Sequence, residues 1–100
     1  MSRFDVYGRR DGEAGYLLDC QADLLSGLTT RLVVPLLPEA DAPHAASRLN
    51  PKFMIGGDSV VMVTQYATAI PVSELGDRVA ALRDRHDEII AAIDFLVSGF

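Results

Sequence analysis

A chain of 100 residues with 49% apolar side chains supplies one core and not two, so residues 1–100 read as a single domain. A net charge of −5, with Lys52 the only lysine, excludes the clustered cationic surface that direct nucleic-acid binding demands and favours a protein partner with basic patches. No apolar run reaches the roughly 18 residues of a membrane span, and Asp5 interrupts the first apolar run. Neither a membrane segment nor a signal peptide is expected, and the cytoplasm is the expected compartment.

The first two thirds read as strands and turns. Arg3 to Tyr7 alternates as a half-buried strand, with Phe4 and Val6 on one side and Asp5 and Tyr7 on the other. Arg9-Arg10-Asp11-Gly12-Glu13 is a charged turn with Asp-Gly at its centre, and Tyr16 to Gln21 is the returning strand. Ser26-Gly27 marks a loop. Arg31-Leu32-Val33-Val34-Pro35-Leu36-Leu37 is continuously apolar after its arginine, which predicts a strand between two layers. Pro35 has no N–H, so it requires an edge or a bulge.

Pro38 to Ser47, rich in Pro and Ala, is expected to be a surface excursion. Phe53-Met54-Ile55 and Val60-Val61-Met62-Val63-Thr64 flank Gly56-Gly57-Asp58-Ser59 as a second hairpin whose glycines tolerate positive φ. Ala67 to Val72 is one further strand.

The last quarter changes period. Val79, Leu82, His86, Ile89, Ile90, Ile93, Leu96 and Val97 recur at three- and four-residue steps, predicting one face of an amphipathic helix. Asp77 is the expected N-cap, with Asp84 the cap of a shorter alternative, and Gly99 the expected stop. Strands first and one helix last predict a mostly β (α+β) fold, a small barrel or sheet with the helix packed on it.

The residues of chemistry are sparse. Cys20 lies in an apolar run and reads as a small buried hydrophobe. His44 and His86 lack metal-ligand spacing, so no metal is expected. Asp84, Asp87 and Glu88, interleaved with Arg83 and Arg85, read as a solvated helix face, and the Gly56-Gly57 turn lacks the lysine of a phosphate loop. Leu96-Val97-Ser98-Gly99-Phe100 ends on an aromatic residue past a helix-stopping glycine, which suits either folding back on the core or docking into a partner's pocket.

Taken in order, several segments resemble the CcdB family of bacterial toxins. Phe4-Asp5-Val6-Tyr7 is similar to its opening strand, and Asp19-Cys20-Gln21-Ala22-Asp23-Leu24-Leu25 to its D-V-Q-S-D-aliphatic-aliphatic segment. Arg31-Leu32-Val33-Val34-Pro35-Leu36 is similar to its R-M-V-I-P-L strand. Ile55-Gly56, Met62, Ile70-Pro71-Val72-Ser73, Gly76 and Val79 keep the family's register, as do Ile93, Leu96 and Gly99.

The resemblance implies an SH3-like β-barrel with a small additional sheet and one C-terminal α-helix, assembled as a homodimer. It implies a toxin that binds the DNA gyrase A subunit, traps the cleaved-DNA complex and is neutralised by a CcdA-like antitoxin through a segment that folds on binding. No catalytic residue and no cofactor are implied, since poisoning is binding to one conformational state. The family's gyrase contacts fall on Leu24, Leu25, Asp94, Ser98, Gly99 and Phe100. Asp94 stands where the family has Asn, and Ser98 where it has a Trp that stacks on a gyrase arginine; Phe100 is the residue placed to take over that stacking.

Two other readings are kept. One is a CcdB-fold protein without gyrase poisoning that serves as an antitoxin-binding module or co-repressor. The other is an RNA-cleaving toxin of the MazF type, for which Arg31 beside Thr29 and Thr30 is the local cluster able to supply a cation at a scissile phosphate.

Overall fold

The computed structural model describes residues 2–43 and 46–99. Strands β1 (Asp5–Arg9) and β2 (Tyr16–Asp19) form the first hairpin, with Val6 opposite Leu18 and Gly8 opposite Tyr16. The long strand β3 (Thr30–Pro38) lies beside β2. Strands β4 (Lys52–Ile55) and β5 (Asp58–Met62) form the second hairpin, followed by β6 (Thr68–Pro71), β7 (Leu75–Ala81) and helix α1 (His86–Ser98).

All are joined in one seven-stranded antiparallel sheet, in the order β4-β5-β3-β2-β1-β7, with β6 branching from β3. The sheet curls into a half-barrel with helix α1 packed against it, the mostly β fold expected.

The hairpins follow from their turns. Ile55 is opposite Asp58, which leaves Gly56 and Gly57 as a two-residue turn at φ 58° and 89°. That left-handed pair matches the twist of the flanking strands, and glycine adopts it without strain.

Pro35 meets its requirement by the branching of β3. Thr30 to Val33 pairs with β6, and Leu36 to Pro38 pairs with β5 on the same edge. Pro35 falls in the gap between them. Its carbonyl accepts the Val63 N–H at 3.0 Å, so its missing donor faces the break in pairing rather than β2.

The sheet is buried on both faces. Phe4, Val6, Leu18, Val34, Leu36 and Met62 meet Ile89 and Ala92 of α1 on one face. Tyr7, Leu17, Val33 and Leu75 form a smaller cluster on the other, with Ile70 against it. Thus β1 is covered on both sides, not half-buried as its alternation suggested. It also starts at Asp5 rather than Arg3, because Phe4 takes φ 70°.

The expected helix start is corrected. Leu75 to Ala81 is a strand hydrogen-bonded to β1, and its register shifts twice along that pairing. Bulges of this kind erase the two-residue period, so Val79 and Leu82 fell into false helical step with His86. Asp77 therefore lies in β7. A 3₁₀ turn over Arg83–Arg85 leads into α1, whose N-cap is Arg85 with no side-chain cap bond, so Asp84 does not cap it either. Asp87 and Glu88 in the first turn favour the positive helix end instead.

On α1 the buried stripe is Ile89 and Ala92, flanked by Ile90 and Ile93, whereas Leu96 and Val97 lie exposed beyond it. Gly99 ends the helix as expected, at φ 79° with its N–H bonded to the Phe95 carbonyl at 2.9 Å.

Candidate functional site

Between β2 and β3 the chain makes a 3₁₀ turn over Asp23–Leu25 that buries none of its residues. Leu24 is 94% exposed, Leu25 49% and Leu28 52%. Keeping a leucine out of a core forgoes about 1.5–3 kcal/mol, so a cluster of them held in water marks a contact surface.

These leucines are held rather than loose. The Arg3 N–H donates to Asp23 Oδ1 at 2.6 Å, and the Val72 N–H to the Thr29 carbonyl at 2.9 Å. Gln21 bonds the Leu25 carbonyl at 2.9 Å through Nε2 and accepts the Leu32 N–H at 3.0 Å on Oε1.

The second group is the last turn of α1. Asp94 is exposed, and Ser98 Oγ donates back to the Asp94 carbonyl at 2.6 Å. The turn itself contains no basic residue to offset the negative helix end beside Asp94. The Arg48 guanidinium lies 4.4 Å from the Phe95 ring centre, which ties the segment before β4 to the same end of the helix. Phe100 lies outside the described residues.

Leu24 and Leu25 thus come together on one turn, and Asp94, Ser98 and Gly99 on another. Among the described residues no hydrogen bond or ion pair joins the two groups within the chain. Leu28, and Val97 at 74% exposure, enlarge the apolar surface beyond the residues expected from sequence. The Ser26-Gly27 break was the available signal for Leu28, since it takes that residue out of any strand.

Behind the turn lies a charged interior. Arg31 is 0% exposed and donates through Nε and Nη2 to Asp19 Oδ2, at 3.1 and 2.5 Å. A guanidinium enclosed in this way does not meet a phosphate, which removes the cation on which the RNA-cleaving reading drew. Asp5, also buried, accepts the Ser2 N–H and pairs with Arg78 and Arg83 at 3.1 and 2.7 Å. Burial alone would raise its pKa, but the Ser2 N–H and the two guanidinium groups outweigh that and hold the carboxyl below its ordinary range.

Cys20 is buried as expected, and burial beside Asp19 pushes its thiol up to about 12, far from a reactive thiolate at neutral pH. His86 packs edge-on to Phe4, ring centres 5.4 Å apart. His44 lies outside the described residues; among those described, no three His, Cys, Asp or Glu side chains converge as a metal site. No described helix is long and apolar enough to cross a membrane.

The arrangement offers surfaces for binding: an anchored leucine turn and the exposed last turn of α1. A family model described as CcdB protein matches residues 3–99, nearly the whole chain.

Proposed function

The chain belongs to the CcdB family, whose members are toxins of toxin–antitoxin pairs, and from that premise we propose that it binds the DNA gyrase A subunit and traps gyrase on cleaved DNA. The observation that carries this reading is the Leu24–Leu25 turn, which presents aliphatic side chains to water from an anchored backbone at the positions where the family meets gyrase. The net charge of −5 suits a partner with a basic surface.

The working unit is a homodimer, in which the last turns of two helices and two leucine turns contribute to one docking surface. A CcdA-like antitoxin holds it in check, and gyrase places its action in the cytoplasm. The mechanism is selective binding: a ligand with higher affinity for the cleaved, opened state of gyrase populates that state without chemistry of its own. The acidic surface leaves DNA contact to gyrase.

One observation favours a second reading. Ser98 replaces the family's stacking tryptophan, and its hydroxyl turns back onto the Asp94 carbonyl. A chain without the stacking group suits an antitoxin-binding module or co-repressor.

A cleavage-complex assay separates the two. Purified protein is incubated with gyrase, ATP and supercoiled plasmid, then treated with detergent and protease. Linear plasmid is the expected product; its absence well above micromolar protein, with antitoxin binding intact, would establish the second reading.

A further inference from the structure

From the bonds around the leucine turn we infer that Gln21 is a positioning residue for gyrase binding, fixing Leu24 and Leu25 from beneath without itself forming the contact surface. The inference rests on the gyrase reading above and adds a residue to that site.

Gln21 is 9% exposed, so its own side chain offers a partner almost nothing. Its backbone N–H and both ends of its side-chain amide bond within the molecule. Its backbone N–H donates to Asp19 Oδ1 at 3.0 Å, and the other oxygen of that carboxylate carries the Arg31 guanidinium. Its side-chain amide spans two segments: Nε2 to the Leu25 carbonyl at 2.9 Å, and Oε1 from the Leu32 N–H at 3.0 Å. A fully buried ion pair therefore sets one residue, and that residue couples the start of β3 to the end of the leucine turn.

The turn needs such a support because its leucines supply none, and the tie from Asp23 to the Arg3 N–H holds only its first residue. Leu24 and Leu25 bury too little to fix their backbone, and a turn of three residues has few internal bonds. Without the Gln21 bridge, the Leu25 carbonyl keeps only the Leu28 N–H of its own loop, at 3.1 Å, and loses its tie to the residue that also holds β3, so more of the ordering cost of the leucines falls on the binding step. Glutamine fits this task because one planar group both donates and accepts.

The test uses Gln21→Leu, which removes both bonds, and Gln21→Glu, which keeps the acceptor for Leu32 and loses the donor to Leu25. Both are measured for binding to the gyrase A subunit, with thermal unfolding recorded beside it, in the wild-type and Leu24→Ala/Leu25→Ala backgrounds. Losing a positioning hydrogen bond is expected to weaken binding by about three- to tenfold in the wild-type background and by less than about twofold once the leucines are gone. A merely structural role would weaken both backgrounds equally, and that result overturns the inference.

Unchanged affinity of both variants, with the wild-type protein binding gyrase, also overturns it. If Gln21→Leu fails to fold, Gln21→Glu and amide exchange on the unsubstituted protein decide. The Leu32 amide is expected to exchange slowly, and free exchange would show that the bridge is not held. Failure of the unsubstituted protein to bind gyrase overturns the parent reading and the inference together, a result distinct from the others.

Discussion

Arg31 and Asp19 form an ion pair from which both side chains are wholly withdrawn from water, with two donors of the guanidinium on one carboxylate oxygen. They come from neighbouring strands and lie behind the turn that carries Leu24 and Leu25. In such a pair the attraction and the loss of hydration nearly offset each other, but removing one member strands the other. Arg31→Met is expected to cost about 3–5 kcal/mol in urea unfolding, and the double replacement Arg31→Met with Asp19→Leu to cost less than the single change. A double replacement no better than the single one would show that the pair is not a self-contained unit.

Asp5 gives the protein an acid limb. Its folded pKa lies below the ordinary value of 3.8, so the stability it contributes is complete above that value and is lost as pH falls through the lower folded value. Asp5→Asn is expected to lower stability at neutral pH and to flatten the loss below about pH 4. Denaturant midpoints across that range check the slope. The difference in slope between parent and variant isolates the Asp5 carboxyl from the other acids.

Two glycines of the first hairpin separate conformational strain from collision. Gly12 and Gly15 both have positive φ, 79° and 95°. A Cβ at Gly12 would meet nothing within 4 Å, whereas one at Gly15 would lie 2.2 Å from the Leu36 carbonyl oxygen. Gly12→Ala should therefore cost only the left-handed penalty of about 1–2 kcal/mol. Gly15→Ala forces β2 away from β3 and should cost clearly more, as read from thermal midpoints of the two variants side by side.

Leu24→Asp divides fold from function. A side chain 94% exposed contributes little to the core, so unfolding is expected to stay within about 0.5 kcal/mol of the parent. Gyrase binding should fall by at least about tenfold, as for a central apolar contact. Surface plasmon resonance with immobilised gyrase A subunit measures it, and equal affinity would remove Leu24 from the interface.

Both hairpins, the third strand with its proline at an irregular position and the glycine stop of α1 were legible in the sequence, because each rests on local chemistry: Asp11-Gly12, Gly56-Gly57, Pro35 and Gly99. What misled was β7. Its identity depends on pairing with β1, some seventy residues earlier, and its bulges remove the alternation that would have shown it. Leu96 and Val97 misled for the opposite reason. They keep the helical step, but α1 extends past the sheet and leaves them uncovered. At the site, the residue types of the leucine turn were visible, whereas the Gln21 bridge and the Asp19–Arg31 pair are contacts across strands that no local pattern encodes.

The pairing of β1 with β7 also bears on how the molecule is made. Strand β1 finds one of its two neighbours only among Leu75–Ala81, some seventy residues further along the chain, and α1 follows later still. Until those residues leave the ribosome, β1 has a bare edge and the Phe4 face of the sheet has no helix over it. A chain released early would carry Leu24 and Leu25 yet have no completed sheet behind them. A product that stops before Leu75 is thus a fragment suited to proteolysis, because the sheet behind the leucine turn is complete only once β7 is in place.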